Sequence, residues 1–305
     1  MASRTRRCWS PASSTRISIP PRTSRDSTPW ARGRGVTSRR TSTRAETTAR
    51  RRASLASAFR GGTGKSNLTA NLAVAVARSG KRVGVIDTDI QSPGIHVVFG
   101  LREQQMQRSL NDFLWGRCPI EETAYDVSPF VRGESRTPID IPELFLIPSS
   151  LKVADIARIL QHGYEVSLLN DGYRALIDAL HLDFLFVDTH PGVNEETLLS
   201  IAISDQLLII LRPDHQDFQG TAVTVDLARR LGVPAMHLLV NKVPDGTDID
   251  ALRQQVEAAY HVPMLAAFPL NLEMVHVASG GIFCLRYPDH PFSEELGHVA
   301  RHLTA

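Results

Sequence analysis

Short apolar runs alternate with segments of helical periodicity through most of this 305-residue chain, from about residue 53 onward. The apolar runs are mostly rich in branched side chains and end at polar or turn residues, which is typical of buried strands. Strands that alternate with helices predict βαβ units, and hence a parallel sheet with helices on both faces. The predicted strands are residues 53–59, 81–90, 144–148, 182–188, 206–212, 236–242 and 264–268.

Between these runs, apolar positions recur every three to four residues, as on one face of an α-helix. Two such segments end just before Gly80 and Gly232, and glycine commonly ends a helix. The predicted fold class is therefore α/β, with a doubly wound and mostly parallel sheet flanked by helices, in one domain of residues 53–305. The predicted helices are residues 67–79, 109–115, 154–160, 170–180, 195–204, 219–231, 249–259 and about 293–303.

A glycine-rich loop follows the first predicted strand, at residues 59–67, and reads FRGGTGKSN. Its glycines let successive backbone N–H groups face an anion, and the helix that follows adds its positive N-terminal end. Lys65 would reach the β- and γ-phosphates of a nucleotide, and Ser66 would bind Mg²⁺. The loop therefore predicts an ATP site with Mg²⁺, formed by Gly61, Gly62, Thr63, Gly64, Lys65, Ser66 and Asn67.

The loop departs from the common Walker A pattern, which has a glycine where this chain has Phe59. It resembles instead the deviant P-loop of the MinD/ParA family, within the SIMIBI class, in which Lys-Gly-Gly-x-Gly-Lys is followed by Ser or Thr. Arg60 stands where that family usually has its signature lysine.

Three further segments resemble the same family, and each ends a predicted strand in the expected order. The first stops at Asp87 and Asp89, the second at Asp188 before a Pro-Gly pair, and the third at Asn241. In an open parallel sheet, ligands bind beyond the carboxyl ends of the strands, where all of these residues are expected. The resemblance covers the chain from about residue 54 to its last residue.

The resemblance implies roles for the strand-end carboxylates. Asp188 would hold Mg²⁺ through water, together with Ser66, and Asp89 would position and polarise the attacking water. For Asp87 a structural role is favoured, as a strand-end carboxylate that hydrogen-bonds the phosphate loop or contacts the Mg²⁺ shell. Lys65, Asp89 and Arg60 are the catalytic candidates, and Ser66, Asp188 and Asp87 are the metal candidates.

Arg60 is expected to act between two copies of the chain. In the family, the signature lysine crosses the interface of an ATP-bound homodimer and touches the partner's nucleotide. An arginine can bind phosphate at two points, and an arginine supplied to a transferring phosphate can raise its rate by roughly 10³ to 10⁵. The alternative is that Arg60 contacts only its own chain's phosphates or solvent.

Other polar residues predict base recognition and an interface. Asn241 offers a donor and an acceptor to adenine, and Pro269 would frame the base from the other side. ATP is favoured over GTP because Asp245 lies one place later than in the Asn-Lys-x-Asp pattern of GTPases. His190 lies between Asp188 and the Pro-Gly pair, in the segment that resembles the family's second switch, and is expected to be structural. Residues 214–217 are expected to face a dimer partner.

Charge is distributed very unevenly along the chain. Residues 1–52 contain fourteen Arg, no Lys and two acidic residues, which gives about +12 and leaves about −10 for the rest of a chain whose net charge is +2. With few aliphatic residues, this arm is expected to be disordered. It could be a real arm that binds DNA or an anionic membrane nonspecifically, a transit peptide, or sequence upstream of the natural start. DNA binding is expected only in the first case.

The remaining features narrow the function without naming it. No long apolar span or secretory signal is evident, and residues 293–303 look like the domain's last helix rather than an amphipathic membrane-targeting tail, so a cytoplasmic protein is expected. We expect a switch ATPase that dimerises with ATP and acts in positioning, partition or regulation through an unknown activating partner. The alternatives are a metabolic or metal-carrier enzyme on the same fold, disfavoured because Cys8, Cys118 and Cys284 offer no pair, and a scaffold that does not hydrolyse ATP.

Overall fold

An eight-stranded sheet organises the part of the chain that the structure, a computed structural model, describes: residues 52–57, 60–277 and 280–305. The strands are β1 (Arg52–Ser57), β2 (Val83–Asp87), β3 (Tyr125–Asp126), β4 (Leu144–Ile147), β5 (Phe184–Asp188), β6 (Gln206–Leu211), β7 (Ala235–Val243) and β8 (Met264–Pro269). The strand order is β3-β4-β2-β5-β1-β6-β7-β8, and every neighbouring pair is parallel except β3 and β4. The predicted doubly wound, mostly parallel α/β fold is therefore confirmed.

The predicted basic arm lies outside the described residues except for Arg52, which opens β1, and Phe59 lies outside them too. β1 occupies the centre of the sheet, between β5 and β6, although its sequence has few branched residues. β2 and β5 are buried along their whole length, as expected for strands covered on both faces.

Helices cover both faces of the sheet. The helices are α1 (Lys65–Ala77), α2 (Ile95–Val98), α3 (Leu110–Leu114), α4 (Ser128–Glu134), α5 (Val153–His162), α6 (Ser167–Ala179), α7 (Glu195–Ile203), α8 (His215–Arg230), α9 (Ile249–Tyr260), α10 (Leu272–Val277), α11 (Phe283–Arg286) and α12 (Pro291–Thr304). On one face, the core includes residues of α1, α12 and the short helices α2, α4, α10 and α11. On the other face, it includes residues of α3 and of the five helices from α5 to α9.

Two helices that a side chain caps begin earlier than predicted. Helix α8 begins at His215, four residues before the predicted start, because the Asp214 carboxylate accepts hydrogen bonds from the backbone N–H groups of Gln216 and Asp217. Helix α12 begins at Pro291 because the His290 ring accepts from the N–H of Phe292. Caps of this kind satisfy backbone donors that the helix itself leaves unpaired.

Helix α12 packs into the core through Phe292, Leu296, Val299, Ala300 and Leu303. It contacts α1 and β8, as the prediction of a last domain helix requires. Among the described residues, no helix is long and apolar enough to cross a membrane.

Candidate nucleotide-binding site

The motifs found in the sequence meet at one edge of the sheet. Because β2, β5, β1, β6 and β7 run parallel, their carboxyl ends lie on the same side. The glycine-rich loop follows the central strand, and Asp87 and Asp188 are paired positions at the ends of neighbouring strands. The sheet thus brings the two carboxylates and the loop together.

The loop conformation depends on glycine at two positions. Gly62 has φ 75° and Gly64 has φ 94°, both in the left-handed region that side chains disfavour. At Gly64, a Cβ atom would also lie 2.5 Å from Nδ2 of Asn241. Helix α1 starts at the next residue, Lys65, so the N-terminus of α1 lies directly behind the loop.

Two cavities adjoin at the loop and share Gly64 and Asn67 in their walls. The first, of about 410 Å³, is lined by the loop from Gly61 to Asn67 together with polar residues that include Asp89 and His190. The second, of about 250 Å³, is lined on its other sides by Asn241, Pro269 and mostly apolar residues of the β8–α10 region. We call the first the phosphate cavity and the second the base cavity. A polar cavity for phosphates beside a mostly apolar cavity for a base has the layout that a nucleotide requires.

The Asp188 carboxylate fits a magnesium site. Its side chain is 1% exposed, and its Oδ1 atom has no hydrogen-bond partner among the described residues. Burial raises the pKa of Asp188 to about 6, while the charge of Lys65 and a hydrogen bond from Ser66 lower it. A buried, unsatisfied carboxylate oxygen beside the Ser66 hydroxyl is the donor set that Mg²⁺ prefers, so the residues present fit this ion.

Asp87 is occupied by the loop that follows it. Its two carboxylate oxygens accept hydrogen bonds from the backbone N–H groups of Asp89, at 3.0 Å, and Gly94, at 3.3 Å. Burial, and then the nearby charge of Asp188, raise the pKa of Asp87 well above its ordinary value. These bonds support a structural role for Asp87. The segment that they hold is residues 88–94, however, and not the phosphate loop that the sequence predicted.

Asp89 lies in the wall of the phosphate cavity, as its predicted role requires. Its Oδ1 accepts from the backbone N–H of Ser92 at 3.1 Å and lies 3.9 Å from Nε2 of His190. Burial raises the pKa of Asp89, and the charges of His190 and Lys65 lower it. His190 was expected to be structural, yet its ring faces the same cavity as Asp89.

Arg60 lies against its own chain. Its guanidinium donates a hydrogen bond to Oε1 of Gln216 and lies 3.7 Å from Oδ1 of Asp217, with 40% of the side chain exposed. Asp217 is buried and also accepts from the backbone and side chain of Arg212. The cluster predicted as an interface therefore includes the intramolecular partners of Arg60, which sequence reasoning missed. The role of Arg60 in a dimer stays a prediction.

Asn241 and Lys242 hold the loop from its far side. Asn241 Nδ2 donates to the carbonyl of Thr63 at 2.7 Å, and Lys242 Nζ donates to the carbonyl of Gly62 at 2.8 Å. The Oδ1 atom of Asn241 accepts the backbone N–H of Lys242 at 2.9 Å, and Asn241 and Pro269 line the same cavity. Lys242 was not among the predicted site residues. Its φ of 58° places it in the left-handed region, which the sequence does not reveal.

A glycine-rich loop that opens a helix after the central strand of a parallel sheet, beside a buried strand-end carboxylate, defines a P-loop nucleotide-binding protein. Residues 54–231 match the family model AAA_31, described as an AAA domain. Because this match covers more than half of the chain, the protein belongs to that family.

Known proteins of similar sequence and fold agree with this assignment. An uncharacterized ATP-binding protein of Methanocaldococcus jannaschii is 27% identical over 249 residues, which cover 80% of this chain and 84% of that protein. An iron-sulfur cluster carrier protein of Saccharolobus solfataricus is 24% identical over 254 residues, 79% of each chain. The septum site-determining protein MinD of Pyrococcus horikoshii, solved with Mg-ADP, has a TM-score of 0.68 at 17% identity and covers 83% of this chain and 96% of its own. The resemblance to MinD/ParA ATPases is thus confirmed.

The cysteines in the described part of the chain do not form a pair. Cys284 is buried in the core on the α1 face of the sheet, where burial raises the pKa of its thiol to about 12. Cys118 lies two residues before Ile120, which belongs to the core on the opposite face. Within residues 52–57, 60–277 and 280–305, no group of three or more His, Cys, Asp or Glu residues could hold a metal ion.

Proposed function

We propose that this protein is a cytoplasmic ATP-dependent switch of the MinD/ParA type, which binds and hydrolyses Mg-ATP and forms a homodimer in the ATP state. The ATP-bound dimer would act on a partner protein in positioning, partition or regulation, and the ADP form would release it. The observation that carries the proposal is the pair of adjoining cavities. One is lined by the glycine-rich loop, including Lys65, and the other is mostly apolar and is lined in part by Asn241.

Each of the predicted site residues has a separate role in the proposed hydrolysis of ATP. Lys65, which is buried, neutralises phosphate charge, and the loop N–H groups bind phosphate oxygens. Ser66 and Asp188 hold Mg²⁺, which would offset charge on the phosphates when bound. Asp89 accepts a hydrogen bond from the attacking water and orients it, since its carboxylate lies in the phosphate cavity.

Dimerisation gives Arg60 its proposed catalytic role. Its guanidinium is partly exposed at the entrance to the loop, so it can leave Gln216 and Asp217 and reach the nucleotide of a second copy. The contacts that it loses, to Gln216 and Asp217, are replaced by charge-assisted hydrogen bonds to phosphate, which an arginine can bind at two points. Support for a bound magnesium nucleotide, though not for this role of Arg60, comes from the MinD of Pyrococcus horikoshii, whose structure contains Mg-ADP.

The direct test is light scattering of the full chain carrying Asp89→Ala, with Mg-ATP and with Mg-ADP. We expect the mass to double only with ATP, because this variant traps the state before hydrolysis. Lys65→Ala is the control, and it should stay monomeric with either nucleotide. An ATP-bound monomer would refute the switch and favour an enzyme that acts on a small substrate.

A metal-carrier function is the second candidate, since one similar protein is named an iron-sulfur cluster carrier. Cys118 and Cys284 lie on opposite faces of the sheet, so the described part of one chain offers no pair of thiols for a cluster. Anaerobic reconstitution with iron and sulfide, followed by absorption spectroscopy, decides between the two. A stoichiometric cluster that is lost in Cys118→Ser would favour the carrier.

A further inference from the structure

His190 follows strand β5 by two residues, and its ring lines the phosphate cavity. The Nδ1 atom of the ring lies 2.6 Å from the backbone oxygen of Pro191. Because a carbonyl oxygen can only accept a hydrogen bond, Nδ1 carries the hydrogen of this bond. In the neutral ring, the other nitrogen, Nε2, then has a lone pair and accepts hydrogen bonds. The backbone thus selects the tautomer of His190.

The residues after His190 restrict the carbonyl group that selects this tautomer. The ring of Pro191 limits its own φ to about −65°. Gly192 follows with φ 99°, in the left-handed region that side chains disfavour. A Cβ atom at Gly61 would lie 3.8 Å from Cγ of Pro191, so this segment lies against the glycine-rich loop. The His190 ring therefore extends from a restricted piece of backbone beside the loop.

The Nε2 atom of His190 faces a second acceptor, the Asp89 carboxylate. It lies 3.9 Å from Oδ1 of Asp89, which is too long for a direct hydrogen bond. Both side chains line the phosphate cavity and are partly exposed, His190 by 27% and Asp89 by 15%. Two polar atoms at this separation are suited to a bridge through one water molecule.

The separation of 3.9 Å also fits the shape of a water molecule. A water oxygen about 2.8 Å from each acceptor would have them about 90° apart. The two hydrogens of water are about 105° apart, so both hydrogen bonds remain close to linear. A water that donates both hydrogens in this way keeps its lone pairs on the side away from the two acceptors, where they can attack an electrophile.

Hydrogen bonds hold the segments of Asp89 and His190 together. The backbone N–H and the hydroxyl of Thr88 both donate to the carbonyl of Asp188, each at 2.9 Å. Thr88 is 2% exposed, so these bonds are shielded from solvent. They join the residue before Asp89 to the residue two positions before His190, while the N–H of Ser92 holds Oδ1 of Asp89. The separation of the two acceptors is therefore set by the fold.

We propose that His190 is a second catalytic residue, whose Nε2 atom and the Asp89 carboxylate together accept the two hydrogens of the attacking water. The water oxygen forms a bond to the γ-phosphorus while the bond from that phosphorus to the bridging oxygen breaks, and the electron pair of the broken bond leaves with ADP. One hydrogen stays on the new oxygen of the phosphate, and the other proton passes to another oxygen of the same phosphate. The proposal rests on the proposed function, to which it adds the second group that orients the water.

A direct contact of His190 with phosphate fits the site less well. The neutral Nε2 atom is an acceptor, and phosphate oxygens are acceptors too. Lys65 and the N–H groups of the glycine-rich loop already supply donors to the same cavity. Two acceptors side by side, Nε2 and the Asp89 carboxylate, suit a ligand that donates twice, as water does.

Two substitutions separate the two nitrogen atoms of the His190 ring. The amide nitrogen of asparagine can replace Nδ1 and donate to Pro191, whereas the amide oxygen of glutamine can reach the place of Nε2 and accept. Single-turnover hydrolysis of ATP is measured in the full chain, and calorimetry gives the affinity for a nonhydrolysable ATP analogue. We expect His190→Asn to lower the rate about tenfold or more, with affinity changed less than about twofold, and His190→Gln to stay within about threefold of the wild-type rate.

His181→Asn is the matched control. His181 is exposed and lies before β5, at the end of the strand opposite the site. Its φ of 52° is left-handed, a conformation that asparagine tolerates. This variant should hydrolyse ATP at the wild-type rate.

Two further measurements distinguish catalysis from a structural role. If both side chains hold one water, His190→Asn should slow an Asp89→Ala chain less than about twofold, because residues that act as a unit are not additive. Mg-ADP with aluminium fluoride imitates the phosphoryl group during transfer. Its affinity for His190→Asn should fall about tenfold or more, while the affinity for Mg-ADP alone stays unchanged.

The role of His190 and the proposed function fail in different ways. The role is wrong if His190→Asn hydrolyses ATP as fast as the wild type, if His190→Gln is as slow as His190→Asn, or if nucleotide affinity falls as much as the rate. Should His190→Asn fold poorly, His190→Ala repeats the rate measurement, and an unchanged rate refutes the role. These outcomes leave the switch ATPase standing, whereas a wild-type chain that binds Mg-ATP without hydrolysing it refutes the proposed function and this role together.

Discussion

Gly64 combines two constraints that can be separated by mutation. The backbone at Gly64 is in the left-handed region, with φ 94°, which side chains disfavour. In addition, the Cβ atom of any other residue would lie 2.5 Å from Nδ2 of Asn241. The first effect costs about 1–2 kcal/mol for a residue other than glycine. The second displaces the Asn241 amide from the Thr63 carbonyl, and the loss of a buried hydrogen bond costs about 1–3 kcal/mol. Gly64→Ala should therefore destabilise the fold by about 2–5 kcal/mol.

Gly80→Ala supplies the matched control for backbone strain. Gly80 has φ 84°, yet an added Cβ would meet no atom within 4 Å. Its cost should be the conformational one alone, about 1–2 kcal/mol. Urea unfolding followed by circular dichroism measures both variants, and nucleotide titration of Gly64→Ala should also show a large loss of affinity.

A double-mutant cycle with Asn241→Ala isolates the contact. In that background the clash is absent, so Gly64→Ala should cost no more than Gly80→Ala does in the wild type. The difference between the two backgrounds gives the coupling energy of the pair. Equal costs in both backgrounds, or a Gly64→Ala chain as stable as wild type, would refute the reasoning about this loop.

Four further substitutions test other parts of the structure. Asp188→Asn should lower Mg-dependent ATP affinity at least tenfold and leave binding in EDTA nearly unchanged; equal losses in calorimetry would count against a magnesium ligand. Arg60→Ala should keep ATP binding but abolish ATP-dependent dimerisation and hydrolysis, and full activity would exclude the crossing role. Lys242→Ala should weaken nucleotide binding about fivefold, as expected for one lost hydrogen bond, and unchanged affinity would contradict its role in holding the loop. Burial, and then the charge of His302, lower the pKa of His237 from 6.5 to about 4. The stability that the neutral His237 ring contributes is therefore present above pH 6.5 and lost as pH falls toward 4. Urea unfolding across this range should show a smaller loss of stability in His237→Gln than in the wild type.

The sequence predicts best those features that depend on local pattern. Buried strands and their terminal carboxylates can be recognised because apolar runs end abruptly at Asp87 and Asp188. Short elements such as β3, with two residues, and α2, with four, are too brief to give a periodic signal. The contacts of Arg60 with Gln216 and of Lys242 with Gly62 join residues more than 150 positions apart, and a motif alone does not reveal them.

The bonds from Asn241 and Lys242 explain how the loop can be ready for an anion. In a trans peptide, the C=O of one residue and the N–H of the next point in opposite directions, and the described chain has no cis peptide. Because Lys242 holds the Gly62 carbonyl and Asn241 holds the Thr63 carbonyl, the N–H groups of Thr63 and Gly64 are turned away from β7. The phosphate cavity lies on that side, since neither Asn241 nor Lys242 lines it. The carboxyl end of β7 thus fixes the orientation of the two N–H groups that we propose to bind phosphate, which would lower the ordering cost of nucleotide binding.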